Sequence, residues 1–342
     1  MYASHRDACI LSKYAADLTK RLDALYESDG LSENVVAYRR LGLANFDFSA
    51  EAQKFVRSQS SCVALCFDIT GFFDNLDHSI LKSRLKSILD VSHLPADWYA
   101  IFRHVTKFSS ISRASLSANQ EFKKRIAQDT KAPIATISEV LAAGIDIETN
   151  PKKIGIPQGT PISAVLSNLY MVEIDRILAD VCRVAGAFYR RYSDDILIIC
   201  PLSKETKVAE TLKHAVATHR LEIKDEKTER AEFAAGCDRV FQYLGFNVSK
   251  RMATVRPSSL ARQWRKAKYA IRRTKRDGER AIAEGRASKI FTKRLRRRFQ
   301  PVGAKNFSRY VRRAAEKFQS KEMRQQVLKW ERMVDKAIRE SE

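Results

Sequence analysis

No stretch of this sequence approaches the ~20 consecutive apolar residues of a membrane helix. Its opening, MYASHRDACILSKYAADL, lacks the long apolar core of a secretory leader. The six cysteines (Cys9, Cys62, Cys66, Cys182, Cys200, Cys237) are scattered, form no CxxC pair and join no histidine cluster. That spacing argues against a zinc site or a disulfide framework and fits a reduced, cytoplasmic setting. There is no internal repeat and no low-complexity linker, so the parts are expected to pack as one body. Acidic residues are scarce at one end: from Lys250 to Glu342 there are 30 Lys and Arg against 9 Asp and Glu. The whole chain carries +22, so its first 249 residues are close to neutral. A basic C-terminal module of this kind calls for a polyanionic partner.

With 342 residues, 44% hydrophobic and 30% charged, the chain can fill a core. Apolar spacing predicts a helix over 5–27, a strand over Val35–Leu43, a capped helix over Ser49–Arg57 and a buried strand ending at Asp68. HSILKSRLKSIL and PISAVLSNLYMVEIDRIL read as helices, and residues 95–152 as helices with loops. A further helix is expected over 204–220. FQYLGFNVS and ATVRPS suggest a strand pair, and everything beyond Ser258 reads as basic helix. Asp74 and Asp77 are expected to serve as local caps.

FYRRYSDDILIIC, Phe188 to Cys200, sets two carboxylates between a strand and an unbroken apolar run. It reads as a hairpin turning at Ser193, Asp194 and Asp195. Alone it is equally well an exposed turn, since aspartate is common there. Asp68 alone is equally well a strand end or a cap. Placed together, the three carboxylates would need a positive charge or divalent cations to neutralise them. Between them lies GIPQGTPISAVLSNLY, where Gly155 and Gly159 allow tight turns and Gln158 projects an amide that both donates and accepts.

In this order, FDITGFFDNLDH, IPQGTPISAVLSN, YSDD, EKTER and FQYLGF resemble the successive motifs of reverse transcriptases, particularly bacterial ones. The resemblance spans about residues 35–256. It implies an α+β, right-hand polymerase fold: fingers and palm, an antiparallel palm sheet and a basic helical thumb. The expected divisions are 1–60 for an N-terminal helix and fingers elements, 61–257 for the palm with a fingers insertion, and 258–342 for the thumb.

The resemblance also implies roles. Asp68, Asp194 and Asp195 match the catalytic metal ligands, with the Ile69 carbonyl, for two Mg²⁺ that Mn²⁺ can replace. Phe73 matches the bulky gate against a ribose 2′-hydroxyl. Since neighbouring strand residues face opposite ways, only one of Phe72 and Phe73 can point into the site. Spacing from Asp68 favours Phe73, with Phe72 as gate and Phe73 as core the alternative. Gln158 and Lys227 match residues beside the incoming nucleotide and its pyrophosphate. Arg39 and Arg40 resemble fingers residues that hold the triphosphate, with a solvated surface pair as the alternative. Tyr243 and Gly245 fall in the likeness of a primer grip. Arg265, Lys268, Arg272, Arg296 and Arg297 are the thumb cations expected to meet phosphates.

The implied activity is RNA-directed DNA synthesis from dNTPs. The implied partners are an RNA template, expected to be a structured non-coding RNA, and the DNA product, with a homo-oligomer or second subunit left open. Neither a ribonuclease H domain nor a Cys/His endonuclease module is expected, and the Asn-Ala-x-x-His and Val-Thr-Gly signatures of retron enzymes are absent. YRRLGLANFDFSAEAQKFVR followed by FFDNLDH looks most like the defence-associated bacterial enzymes. The competing classes are a template-independent nucleotidyltransferase of the same fold and a non-catalytic RNA-binding scaffold.

Overall fold

The computed structural model describes residues 5–128, 134–224, 226 and 228–342. In chain order the elements begin with α1 (His5–Ser28), α2 (Asn45–Ser58), β1 (Cys62–Asp68), α3 (Phe72–Asn75), α4 (His78–Leu89) and α5 (Ala96–Thr106). Next come β2 (Ser109–Ser110), α6 (Arg113–Ala118), α7 (Gln120–Ala127), α8 (Ile137–Ala142), β3 (Glu148–Thr149) and α9 (Ser163–Ala185). The hairpin strands β4 (Phe188–Tyr192) and β5 (Asp195–Cys200) precede α10 (Glu205–Thr218), β6 (Glu229–Ala234) and β7 (Cys237–Asp238). The chain finishes with β8 (Phe241–Tyr243), β9 (Phe246–Val248), β10 (Ala253–Val255), α11 (Pro257–Ala283), α12 (Lys293–Phe299), α13 (Phe307–Lys317) and α14 (Lys321–Arg339). No helix among the described residues is long and apolar enough to cross a membrane.

These elements fall into two units, each discontinuous in sequence. One comprises Met1–Arg39, Ile69–Ile177 and Leu212–Ile223; the other comprises Arg40–Asp68, Leu178–Thr211 and Lys224–Glu342.

The second unit is built on an antiparallel sheet of order β4-β5-β1-β6-β7. The apolar run Ile196–Cys200 belongs to β5, which has a strand on either side, and each of its residues is at most 1% exposed. Covered on both faces, such a strand needs no polar alternation. A smaller antiparallel sheet of order β10-β9-β8 holds the three strands that FQYLGFNVS and ATVRPS form, one more than the expected pair. α14 seals its edge: Gln326 accepts from the Val255 N–H (2.9 Å) and donates to the Val255 carbonyl (3.2 Å). The basic helices then close on their own core, Ala267 and Ile271 against Leu295, Phe299, Trp330, Val334 and Ile338, at helical spacing.

Two expected elements shift. Val35–Leu43 is not a strand but winds through turns, with Tyr38 at φ 62°. Arg39 folds that segment back by donating to the carbonyls of Ser32 (2.7 Å) and Val35 (3.0 Å). α2 begins at Asn45, a turn earlier than expected, because the Asp47 carboxylate accepts the Ala44 N–H (2.9 Å). Ser49, freed from a capping role, donates instead to the Tyr243 carbonyl (3.2 Å).

Candidate active site and nucleic-acid interface

Register sets the carboxylates. β1 and β5 pair antiparallel with Asp68 directly opposite Asp195, so the two side chains leave the same face of the sheet. Asp194 precedes Asp195 at the two-residue hairpin turn, whose first residue, Ser193, takes φ 61°, a sign that the primed hairpin turns require. Asp195 is exposed; Asp68 and Asp194 are half-buried. Arg191, on β4, is wholly buried, and its guanidinium braces the turn by donating to the Ser193 carbonyl (3.0 Å).

Across from this turn stands a second tight hairpin. β8 and β9 close through Leu244 (φ 47°) and Gly245 (φ 91°), two positive angles that define a type I′ turn. Asp68, Asp195, Tyr243 and Gly245 line one cavity of about 520 Å³, together with Gln242 and Glu229. The Glu229 carboxylate accepts the Gln242 N–H (3.0 Å), tying the hairpin to the palm sheet. Of two residues lining the cavity, the Tyr243 hydroxyl and the Gln242 side-chain oxygen are buried without a hydrogen-bond partner among the described residues. Burial pushes the Tyr243 hydroxyl well above its ordinary pKa.

A larger cavity of about 1150 Å³ adjoins the same two turns through Tyr192, Asp195, Leu244 and Gly245. Its other walls are cationic: Arg256, Arg262, Arg265, Lys305, Arg309 and Arg313. Tyr310 sits in this wall between Phe46 (5.3 Å between ring centroids) and Phe246 (6.2 Å). A cleft lined by one carboxylate, Asp195, and by several arginines suits a phosphate backbone. Of these cations the sequence reading named Arg265 alone. Arg309 and Arg313 stand at i and i+4 on α13, a period visible in NFSRYVRR, and Arg256 lies just past the second hairpin's sheet.

The other expected thumb contacts lie elsewhere. Lys268 and Arg272 line a separate hollow with Trp264, Ile271 and Met333, on another side of α11. Arg296 is a correction: its guanidinium is spent on Asp335 (3.0 Å) and Glu342 (2.8 Å), closing α12 onto the last helix. Arg297 is exposed, and its carbonyl accepts from Asn306.

In the first unit, Phe72 and Phe73 share one helical turn, α3, rather than a strand. They still divide as expected: Phe72 is 3% exposed and Phe73 is half-buried, their rings 5.4 Å apart. The segment carrying Gln158 is docked on this turn. Ile156 N–H donates to the Phe73 carbonyl and Gly155 N–H to the Leu76 carbonyl, each at 2.8 Å. Gly155 is obligatory, since it sits at φ 86° and a Cβ there would meet the Asp74 carbonyl at 2.8 Å. Gln158 itself is exposed.

Asp77 is the N-cap of α4, accepting from Ser79 (2.8 Å) and Ile80 (3.1 Å), whereas Asp74 lies inside α3 and caps nothing. Ile69 is buried and forms a bridge with Ile223. Arg39 donates to Asp23 (2.6 Å) and lies over the Tyr26 ring, so its guanidinium serves the fold; Arg40 is exposed. Lys227 lies outside the described residues, although its neighbours Glu226 and Thr228 line the cavity with Asp68.

Among the described residues no three His, Cys, Asp or Glu side chains are gathered into one metal-binding group. The expected triad appears as a facing pair, Asp68 and Asp195, with Asp194 adjacent in the chain. Hard carboxylate oxygens are the right donors for Mg²⁺, which usually takes one or two carboxylates and completes its shell with water and substrate phosphates. The residues therefore fit such an ion.

The antiparallel sheet, its paired aspartates and the flanking helices make up a fingers–palm polymerase fold. The signature of the reverse transcriptase (RNA-dependent DNA polymerase) family matches residues 6–248, and the chain belongs to that family.

No curated protein sequence matches the chain. Among solved structures it is similar to apo telomerase from Candida tropicalis truncated from its C-terminal domain, at 13% identity over 72% of this chain and 45% of that one, TM-score 0.49. The corresponding figures for apo telomerase from Candida tropicalis are 15%, 72%, 40% and 0.47. For Candida albicans telomerase in complex with a fragment of telomeric RNA they are 14%, 72%, 38% and 0.45. The chain spans less than half the length of these structures.

Proposed function

We propose that this reverse transcriptase copies a dedicated, structured RNA into DNA by two-metal nucleotidyl transfer in the bacterial cytoplasm, as part of antiphage defence. The observation that carries the catalytic half is the Asp68–Asp195 register, with Asp195 also lining a cleft walled by arginines. Asp68, Asp194, Asp195 and the Ile69 carbonyl are assigned to hold two Mg²⁺. When bound, these ions would lower the pKa of the primer 3′-hydroxyl and stabilise the departing pyrophosphate.

The protein's own residues do the rest. Tyr243 and Gly245, on the second hairpin, position the primer end. Arg262, Arg265, Arg309 and Arg313, within a thumb assigned to 258–342, and Arg256 just before it neutralise backbone phosphates along the cleft. Phe73 is assigned to exclude a ribose 2′-hydroxyl, and Gln158 to contact the incoming nucleotide. Lys227 is assigned to the pyrophosphate. Arg40, which is exposed, is the better candidate of its pair for the triphosphate.

The defence assignment rests on the resemblance of residues 38–57 and FFDNLDH to defence-associated enzymes. Purification from the native host, with sequencing of co-purifying RNA and cDNA, tests it. One recurrent non-coding RNA with a cDNA complementary to part of it is the expected result. A random sample of cellular RNA without matching cDNA would contradict it.

A further inference from the structure

The first 249 residues carry almost no net charge, yet in the first unit cations gather on one surface. The buried face of α5 is Trp98, Ile101, Phe102 and Val105. Its solvent face, with the C-cap Lys107, shows Asp97, Tyr99, Ala100, Arg103 and His104, and beyond Asp97 in its first turn it carries no carboxylate. Asp97, the one acidic residue of the helix, is held by the Tyr14 hydroxyl (2.9 Å).

Hollows flank the ridge on both sides. One, of about 280 Å³, has Phe102 in its lining and is rimmed by His78, Lys82, Lys153 and Arg220. Its single carboxylate, Asp77, already pairs with Arg220 (2.6 Å). The other, of about 540 Å³, is lined by Arg103, His104, Lys107 and Thr149. Glu148, beside Thr149 on β3, is the acidic neighbour on that side. Lys82 lies over the exposed Tyr99 ring, 5.3 Å from its centroid.

We propose that this surface, Lys82 and Tyr99 through Lys107 with Lys153, is a second nucleic-acid contact that binds the phosphate backbone of an RNA strand. None of these residues lines the arginine cleft of the second unit. From Tyr99 to Lys107 the ridge runs about 12 Å at 1.5 Å per residue, long enough to follow several nucleotides. Its cations engage phosphates, and the Tyr99 ring offers a base a stacking face. A protein partner fits less well. Protein interfaces are centred on a desolvated apolar patch with charges at the rim, whereas here the centre is charged and the single large exposed ring lies at the ridge's end.

The test uses the full-length protein carrying Lys82→Glu, Arg103→Glu and Lys107→Glu, with the charge-neutral Gln triple as a second variant should the first fold poorly. The probe is an RNA hairpin with a single-stranded tail, titrated without dNTP over a salt series. Incorporation on a short primer–template at saturating concentration is measured separately. The expected result is affinity at least about tenfold weaker and a log K against log salt slope shallower by roughly two, from three lost phosphate contacts. Melting temperature and the short-substrate rate stay at parental values. Parental affinity and slope in a folded variant would overturn the proposal, as would a loss confined to binding of an acidic protein. Because RNA binding is read without dNTP, a failure of the polymerase assignment would appear as absent incorporation by the parent and would not be mistaken for a failure of this site.

Discussion

The two hairpins of the second unit close in the same way and do opposite work. Both turn through two residues, and both place a non-glycine residue at positive φ: Ser193 at 61° and Leu244 at 47°. The first carries Asp194 in its turn and Asp195 at the start of β5, which is paired on both sides and buried from Ile196 to Cys200. The second carries a buried, uncharged phenol on β8, a strand with a ladder partner on one side, and its sheet is braced by α14 through Gln326. Charges that must hold a fixed position emerge from the most constrained strand. The second hairpin emerges from an edge strand and carries a Tyr243 hydroxyl without a hydrogen-bond partner among the described residues.

The largest separation between the hairpins is expected at Asp194. Asp194→Asn removes a metal-directed charge while keeping the shape, so incorporation should fall on the order of 10³-fold or more. Melting temperature and RNA affinity should hardly move. Wild-type turnover in Mg²⁺ would show that the first hairpin is not the catalytic one.

Next in size is the Phe72 and Phe73 pair. Phe72→Ala empties a core site and should cost about 3–5 kcal/mol in denaturant unfolding. Phe73→Ala should cost much less and should raise ribonucleotide use relative to deoxyribonucleotide. If sugar selectivity moves with Phe72 instead, the assignment of the two rings is reversed.

The cleft walls come third. Arg309→Glu with Arg313→Glu should weaken primer–template binding by about tenfold or more and make its salt dependence shallower by roughly two. Unchanged salt dependence in a folded variant would place the nucleic acid outside the cleft.

Asp77, outside both hairpins, provides a stability control. Burial pushes its carboxyl up, but hydrogen bonds from Ser79, Ile80 and Arg220 outweigh that and bring it from 3.8 to about 2. The resulting stability, about 2 kcal/mol, is present in full above the unfolded value near 4 and is lost as pH falls through about 2. Asp77→Asn should flatten that acid limb of a pH–stability curve; an unaltered limb would assign the loss to other carboxyls.

The smallest effect sharpens the comparison most. Tyr243→Phe removes a hydroxyl with no partner among the described residues, so stability should stay within about 1 kcal/mol or rise. KM for primer–template should increase if the hydroxyl meets the substrate. An unchanged KM would reduce the second hairpin to a structural brace.

Much of this site was legible in the sequence because its signals are local. A buried strand ending in aspartate, a strand–turn–strand with paired carboxylates and a glycine-proline turn each announce themselves within about ten residues. Less legible was anything that depends on which residues a side chain reaches. Arg39 and Arg296 read as ligand cations, yet Arg39 is spent on Asp23 and the Ser32 carbonyl, and Arg296 on Asp335 and Glu342, 39 and 46 residues on. Arg309 and Arg313 looked like two more charges in a basic helix until folding placed them on the cleft wall. Phe72 and Phe73 were expected to alternate on a strand, whereas they lie on one helical turn, which leaves Phe72 buried and Phe73 half-buried.

The central claim, that the Asp68–Asp195 pair and its arginine cleft form an RNA-templated DNA polymerase centre, is tested most directly by incorporation on homopolymer RNA templates primed with DNA. The wild-type protein with Mg²⁺ should extend the primer with the complementary dNTP alone, and Asp194→Asn should not extend it. Extension with non-complementary dNTPs as readily as with the complementary one, or equal extension by the mutant, would contradict the account.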